Sequence, residues 1–178
     1  MANKYGPNAM TVQEATNSIA QRKVIRVSPT FQAAATDSGD VAFNSTEIPN
    51  AVIRPGGCSK LVRLEIVNYS DTTCDFDLIF TQNSATIGTV DSAVSISDAD
   101  LKAAKVLGSM FVDASDTEID LINMLISQAA RAGTATVNQQ SDGLLLQASE
   151  DQTSVYFAGI DRTGADVDDL EFIFHIEY

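Results

Sequence analysis

The clearest pattern in the chain is an alternation of apolar and polar residues between positions 60 and 69. Val62, Leu64 and Ile66 are apolar, and Arg63 and Glu65 stand between them. Successive side chains of a strand point to opposite faces, so this spacing predicts a β-strand with one dry face.

The same alternation returns between positions 74 and 82, after the polar segment 70–73. Phe76, Leu78 and Phe80 fall on one face, with Asp75 and Asp77 on the other. Two such runs joined by a short polar turn predict an antiparallel hairpin.

Shorter apolar runs predict further strands. A turn at 37–40 indicates a second hairpin between 31–33 and 41–43. Pro49 marks the start of a run at 48–54 as an edge or strand end, because proline has no N–H to donate to a neighbouring strand. Residues 55–57 then form a turn that leads into the strand predicted at 60–69. The other predicted strands cover 24–27, 144–146, 155–158 and 170–178, the last with Leu170, Phe172, Phe174 and Ile176 on one face.

A short helix is predicted after the segment 82–95, whose Ser, Thr, Asn and Gly suit a surface loop or a weak strand. Ser97 can cap this helix, Asp100 stands at the capping-box position, and Gly108 closes it. Asp98 and Asp100 then lie at the positive end of the helix dipole, which favours a structural role over calcium binding.

Residues 115–133 fit two interpretations. Ser115 with Glu118 forms a second capping box, and apolar residues recur at helical spacing as far as Gly133, which predicts a helix. Alternatively, 110–112 and 119–121 are short strands and the helix is confined to the part after Asn123. The sequence fits both interpretations.

Many short strands with polar turns predict a mainly β fold, a jelly-roll-like antiparallel β-sandwich with one or two short helices. We assign the sandwich to residues 24–178, and an extended N-terminal arm to the polar residues 1–23, of which 10–20 also fit a short helix. No apolar run approaches the roughly 20 residues of a membrane span, and residues 1–7 lack the apolar core of a signal peptide. We therefore expect no membrane contact.

Charge is distributed unevenly along the chain, whose net charge is −13. Residues 1–70 hold seven Lys or Arg against five Asp or Glu, whereas residues 71–178 hold four against nineteen. The acidic part disfavours nucleic acid as a partner. The N-terminal arm and the first residues after it, which we call the leader, are mildly basic. This suits either a solvated terminus or an arm that docks on an acidic neighbour.

Groups that carry chemistry are sparse. Cys58 and Cys74 fall far apart in the expected hairpin register and have no metal-site spacing, so we predict free thiols. His175 should face away from the apolar set of its strand, and no Gly-x-Ser-x-Gly elbow accompanies it. We interpret the carboxylates before the last strand as a solvated acidic loop, or else as a weak surface cation site: Asp161, Asp166, Asp168, Asp169 and Glu171. We expect no catalytic residue, cofactor or resident metal.

Several short motifs, in their order, resemble small β-rich virion structural proteins of tailed bacteriophages. The likeness covers roughly residues 24–178 and rests on SGDV at 38–41, IPNA at 48–51, GG at 56–57, KLV at 60–62, FDLIF at 76–80, ISDADL at 96–101, GLLLQA at 143–148 and VYFAGI at 155–160. The resemblance implies a decoration (cement) protein, made in the host cytoplasm and carried on the capsid exterior. Such a protein bridges subunits of the major capsid protein, often as a trimer.

On this hypothesis the leader acts as a clamp on the capsid. Its basic residues would meet an acidic surface, and two apolar side chains would anchor it; the residues concerned are Lys4, Arg22, Lys23 and Arg26, with Tyr5 and Met10 as anchors. Many weak contacts that form only on the assembled shell would then act together.

Two alternative functions make different demands on the sequence. A receptor- or glycan-binding head or tail fibre component needs an exposed aromatic or polar groove. The chain has no tryptophan, which leaves its four tyrosines as candidates: Tyr5, Tyr69, Tyr156 and Tyr178. A hydrolytic enzyme would need clustered reactive side chains, and the sequence gives no support for one.

Overall fold

The computed structural model describes residues 22–31, 37–70, 72–113, 119–121, 124–131, 143–164 and 169–178. Within them lie ten strands and one helix. The strands are β1 (Arg22–Val27), β2 (Val41–Ile48), β3 (Cys58–Asn68), β4 (Phe76–Thr81), β5 (Val106–Val112), β6 (Ile119–Asp120), β7 (Leu125–Arg131), β8 (Leu144–Gln147), β9 (Val155–Asp161) and β10 (Leu170–Glu177), and the helix is α1 (Asp98–Ala104). The prediction of a mainly β protein is confirmed.

The strands form two antiparallel sheets. The first has the order β1-β10-β3-β7, with β8 also on β3 and β6 also on β7; the second has the order β2-β9-β4-β5-β7. Strand β7 belongs to both, because 125–128 pair with β3 and 129–131 pair with β5. The hydrogen-bonded path is therefore continuous and folds over at β7, which gives a β-sandwich-like architecture.

The core lies between the two sheets and is rich in phenylalanine. Phe157 on β9 packs edge-on against Phe172 and Phe174 on β10, with ring centroids 5.1 and 5.0 Å apart. Phe43 on β2 joins the same group at 5.2 Å from Phe157. Burial of each ring stabilises the fold by about 1.5–3 kcal/mol, and each edge contact adds roughly 0.5–1.5 kcal/mol. The predicted common face of β10 is confirmed, since Leu170, Phe172, Phe174 and Ile176 are all buried.

The predicted hairpin between 60–69 and 74–82 is wrong. Strand β3 pairs with β10, β7 and β8, whereas β4 pairs with β5 and β9 in the other sheet. The segment between β3 and β4 crosses from one sheet to the other, and the side chain of Asn68 holds it. The Asn68 amide donates to the Thr72 carbonyl at 2.6 Å and accepts from the Ser70 N–H at 2.8 Å. Two strands with one dry face each can face one another across a core as well as lie side by side.

The dry face of β3 also differs from the prediction at one position. Leu64 and Ile66 are buried, but Val62 is 44% exposed and Leu61 takes its place in the core. The register with β10 shifts there, because His175 pairs with Arg63 and the next residue, Ile176, pairs with Leu61. This β-bulge inserts Val62 as an extra residue and reverses the alternation.

The run at 48–54 is not a strand. Strand β2 ends at Ile48, directly before Pro49, and residues 49–54 form turns and bends in which Asn50 adopts φ 51°. This agrees with Pro49 marking a strand end. Strand β2 pairs with β9 on one side. Its predicted hairpin partner at 31–33 stays a prediction, because residues 32–36 lie outside the described residues.

The predicted capped helix is confirmed at its start. Ser97 accepts a hydrogen bond from the Asp100 N–H at 3.2 Å, and its hydroxyl donates to the Asp100 carboxylate at 2.6 Å. The helix ends earlier than predicted, at Lys105 with φ 56°, and Gly108 lies within β5.

The helix predicted over 115–133 is wrong, as is the shorter helix after Asn123. The described residues there form β6 and β7, in line with the predicted strand at 119–121, and 110–112 belong to β5. The apolar spacing suits either a helix or a strand, and pairing of β7 with β3, β5 and β6 decides for the strand.

The proposed boundary at residue 24 stays a prediction, because residues 1–21 lie outside the described part of the chain. Strand β1 already includes Arg22 and Lys23. The one described helix is far too short and polar to cross a membrane.

Candidate interaction surface

Positive charge is concentrated on two strands of the first sheet. Of the eleven Lys and Arg residues in the chain, five lie on β1 and β3, which flank β10: Arg22, Lys23, Arg26, Lys60 and Arg63. In a chain of net charge −13, such a cluster within the described residues favours an acidic partner over a basic one.

A cleft of about 240 Å³ opens within this cluster, and we call it the cationic cleft. It is lined by residues of three adjacent strands: Arg22, Lys23 and Val24 on β1, His175 and Ile176 on β10, and Val62 and Arg63 on β3. The register explains the grouping, because His175 pairs with Val24 on one side and with Arg63 on the other. The bulge turns Val62 outward, so apolar surface lies beside the charges.

Carboxylates of β10 and β3 hold most of the guanidinium groups in place. Arg26 binds Glu171 at 2.5 Å, Arg22 lies 3.9 Å from Glu177, and Arg63 binds Glu65. These cross-strand and neighbouring pairs are exposed, so each contributes about 0–1 kcal/mol. Their main effect is to orient the arginines.

Lys23 differs from its neighbours, since it forms no salt bridge with any residue that the structure describes. Lys23 is exposed and lines the cleft, so its ammonium adds a charge that no described carboxylate pairs with. An acidic side chain from a partner could pair with it without displacing an existing carboxylate.

His175 lies at the floor of the cleft and is half-buried. Its Nε2 atom is 3.1 Å from the Glu65 carboxylate, which also binds Arg63. The prediction that His175 faces away from the apolar set is confirmed, because its neighbours Phe174 and Ile176 are buried on the other face.

The sequence-predicted contact residues are partly brought together. Arg22 and Lys23 line the cleft, and Arg26 lies further along β1 in its pair with Glu171. Lys4, Tyr5 and Met10 lie outside the described residues. Sequence reasoning missed that Val62, Arg63 and His175 join β1 residues in one cleft, because these three residues come from two strands far from β1 along the chain.

The interpretation of the five carboxylates as one solvated loop is wrong for Asp161 and Glu171, which belong to β9 and β10. Asp161 is 1% exposed, and its carboxylate accepts from the backbone N–H groups of Thr163 and Gly164. Glu171 holds Arg26, whereas Asp166 and Asp168 lie outside the described residues. No group of three or more potential metal ligands occurs within the described ranges.

Two cysteines and two tyrosines also carry ionisable side chains outside the cationic cleft. Cys58 is exposed and Cys74 is buried, and the two form no disulfide with each other, as predicted. Burial raises the pKa of Tyr178, whose hydroxyl donates to the Asn50 carbonyl at 2.7 Å. Burial also raises the pKa of Tyr156, with a further contribution from the negative charges of Glu47 and Asp151.

The sequence matches no known protein-family model, and no curated protein is significantly similar to it. Functional assignment therefore rests on the cationic cleft, the fold and the sequence motifs.

Proposed function

We propose that this chain is a structural protein of a tailed-phage virion. It binds the capsid exterior as a homo-oligomer, most simply a trimer, and cements neighbouring subunits of the major capsid protein. The observation that carries the proposal is the cationic cleft, a patch of oriented positive charge and exposed valine on an otherwise acidic protein. The motif resemblance supports the virion as its setting.

We also assign the fold to the jelly-roll type, and the strand order supports this. The orders β1-β10-β3-β7 and β2-β9-β4-β5 place consecutive strands β1 and β2, β3 and β4, and β9 and β10 in opposite sheets. The first strand pairs with the last, and the second pairs with the last but one. Jelly rolls have this wrapped-ribbon arrangement and form viral capsid and lectin domains. Fold alone does not select between those functions.

The cementing action follows from linkage. A protein that binds assembled subunits and not separated ones stabilises the assembly in proportion to its occupancy. Several weak contacts from one oligomer act together, so modest charge pairing at each cleft suffices. Because Arg22 is the first residue of β1, the proposed arm with Lys4, Tyr5 and Met10 joins the domain at the cleft.

Binding to phage particles assembled without this protein tests the proposal. We expect the full chain to saturate a fixed number of sites per particle, with weaker binding at high salt. Lys23→Glu should reduce occupancy, whereas Arg54→Glu, the same charge change at an exposed turn outside the cleft, should not. Equal occupancy for both variants would show that the cleft is not the contact.

Deletion of residues 1–21 tests the arm while leaving β1 intact. We expect particle binding to be lost and the domain to remain folded by circular dichroism. If the shortened chain occupied as many sites on the particles as the full chain, Lys4, Tyr5 and Met10 would not be needed for capsid binding. Saturable binding to a glycan array, without binding to particles, would instead favour the fibre component.

A further inference from the structure

A second apolar surface lies beside α1, and it shares no residue with the cationic cleft. A groove of about 330 Å³ runs between α1 and the start of β5, lined by Asp98, Leu101, Lys102, Lys105 and Val106. Its apolar part comes from Leu101 and from Val106, which is 49% exposed. We call this the helix groove.

The helix groove carries positive charge in the acidic part of the chain. Residues 71–178 contain four Lys or Arg, and two of them, Lys102 and Lys105, line the groove. Neither forms a salt bridge with a described residue. Asp98 lies one helical turn before Lys102 and offsets part of that charge, which leaves the rim positive.

An exposed apolar edge with the opposite charge lies at the far end of β5. Ile119 is 57% exposed, Leu121 is 48% exposed, and Asp120 stands between them. Tyr69, 44% exposed, lies at the same end, because Asn68 pairs with Leu125 and Leu125 pairs with Asp120. We call Tyr69 with 119–121 the β6 edge.

The two surfaces cannot meet within one chain. Strand β5 runs from Val106 to Val112, and β6 lies against the start of β7, beyond the end of β5 that is remote from Val106. At about 3.3 Å per residue, the separation is on the order of 20–30 Å. Complementary surfaces at opposite ends of one molecule can only join different copies.

We infer that the helix groove of one copy binds the β6 edge of the next copy. Leu101 and Val106 receive Ile119 and Leu121, while Lys102 and Lys105 lie near Asp120. A groove-to-groove contact would bring the lysines together, and an edge-to-edge contact would bring two aspartates together. Head-to-tail contact avoids both, and it closes into a ring when the rotation per copy permits. This inference rests on the homo-oligomeric part of the proposed function.

Light scattering on the full chain and two variants tests the contact. Val106→Asp places a carboxylate in the groove, and Ile119→Asp places one on the edge; each should raise the dissociation constant of the contact by at least ~10-fold. We expect the unaltered chain to form an oligomer and each variant to have the 19.0 kDa mass of one chain. Leu145→Asp, at a residue 62% exposed on β8, is the matched control and should keep the oligomer.

Mixing the two variants gives the sharper result. Each retains the half of the contact that the other lacks, so an equimolar mixture should form a two-chain species and nothing larger. A mixture that stays monomeric while both variants are folded would overturn the inference, as would an unaltered chain that is monomeric or an Ile119→Asp variant that still oligomerises.

A charge swap covers the case in which either variant fails to fold. Lys102→Glu and Asp120→Lys should each weaken the oligomer, and the two together in one chain should restore it. Failure of the double variant to restore it would count against the contact.

The capsid proposal is judged separately by particle binding. A monomeric chain that saturates particles removes the head-to-tail contact and leaves the capsid role standing. If the two variants complement each other but the protein does not bind particles, the head-to-tail contact stands and the capsid role is removed.

Discussion

Arg63 on β3 and His175 on β10 lie opposite each other in the antiparallel register, and the side chains of both bind the carboxylate of Glu65. One carboxylate thus neutralises part of the cleft that we propose as the capsid contact. Its removal provides a test that strengthens the site instead of damaging it.

Glu65→Gln should increase binding to phage particles, because it removes the carboxylate charge that pairs with Arg63 in the cleft. The expected direction is opposite to that of Lys23→Glu, and both effects should shrink as salt rises. Loss of these partly exposed pairs should lower the free energy of unfolding by no more than about 1 kcal/mol. Glu150→Gln, at an exposed position outside the cleft, is the matched control.

Gly159→Ala should destabilise the core. A Cβ atom at this position on β9 would lie 2.2 Å from the Phe43 ring, which is itself packed against Phe157 and Phe172. Overpacking of this kind costs about 1–3 kcal/mol, measured as a lower urea midpoint. Phe43→Leu in the same chain should recover part of the loss. Additive losses in the double variant would show that the two sites do not clash.

Asn68→Ala should weaken the crossing between the two sheets. The Asn68 side chain is buried and bonds the Thr72 carbonyl and the Ser70 N–H, so alanine leaves both groups without these partners. The expected loss is roughly 1–3 kcal/mol in the free energy of unfolding. Asn83→Ala is the control, since the Asn83 side chain also makes two hydrogen bonds, to the Ala103 carbonyl and from the Ser149 hydroxyl, but lies outside the crossing. Equal losses in the two variants would contradict a special role for the crossing.

Stability should fall at alkaline pH because of Tyr156 and Tyr178. Burial raises the pKa of both phenols above the usual value of 10.0, with Glu47 and Asp151 adding to the shift of Tyr156. The unfolded chain then loses these protons first, so the contribution is present below pH 10 and is lost as pH rises through the folded-state pKa values. Urea midpoints between about pH 8 and pH 11 measure the slope.

Replacing both phenols by phenylalanine should flatten that slope. The Tyr178→Phe change also removes the hydrogen bond to Asn50, so the comparison concerns the pH dependence and not the absolute stability. Tyr69→Phe controls for the loss of a tyrosine. An unchanged slope in the Tyr156→Phe, Tyr178→Phe double variant would contradict the assignment.

The candidate site was predictable only in part. The sequence indicated the basic residues of the leader, because a local excess of Lys and Arg is visible in any window. It did not indicate that Arg63 and His175 join Arg22 and Lys23, since these residues are 41 to 153 positions away from Arg22 along the chain. Register between β1, β10 and β3 brings them together, and the bulge at Val62 adds apolar surface that the alternation assigned to the core.

By itself, the sequence determined the local features of this protein. Alternation marked the buried faces of β4 and β10, and the Ser97 and Asp100 pair marked the start of α1, because side-chain direction and capping depend on neighbours within a few residues. Only the tertiary structure decided that β3 and β4 lie in opposite sheets and that 125–131 is a strand shared by both. A dry face requires a partner surface without specifying which one, and hydrogen-bond pairing is chosen by all the strands that compete for it.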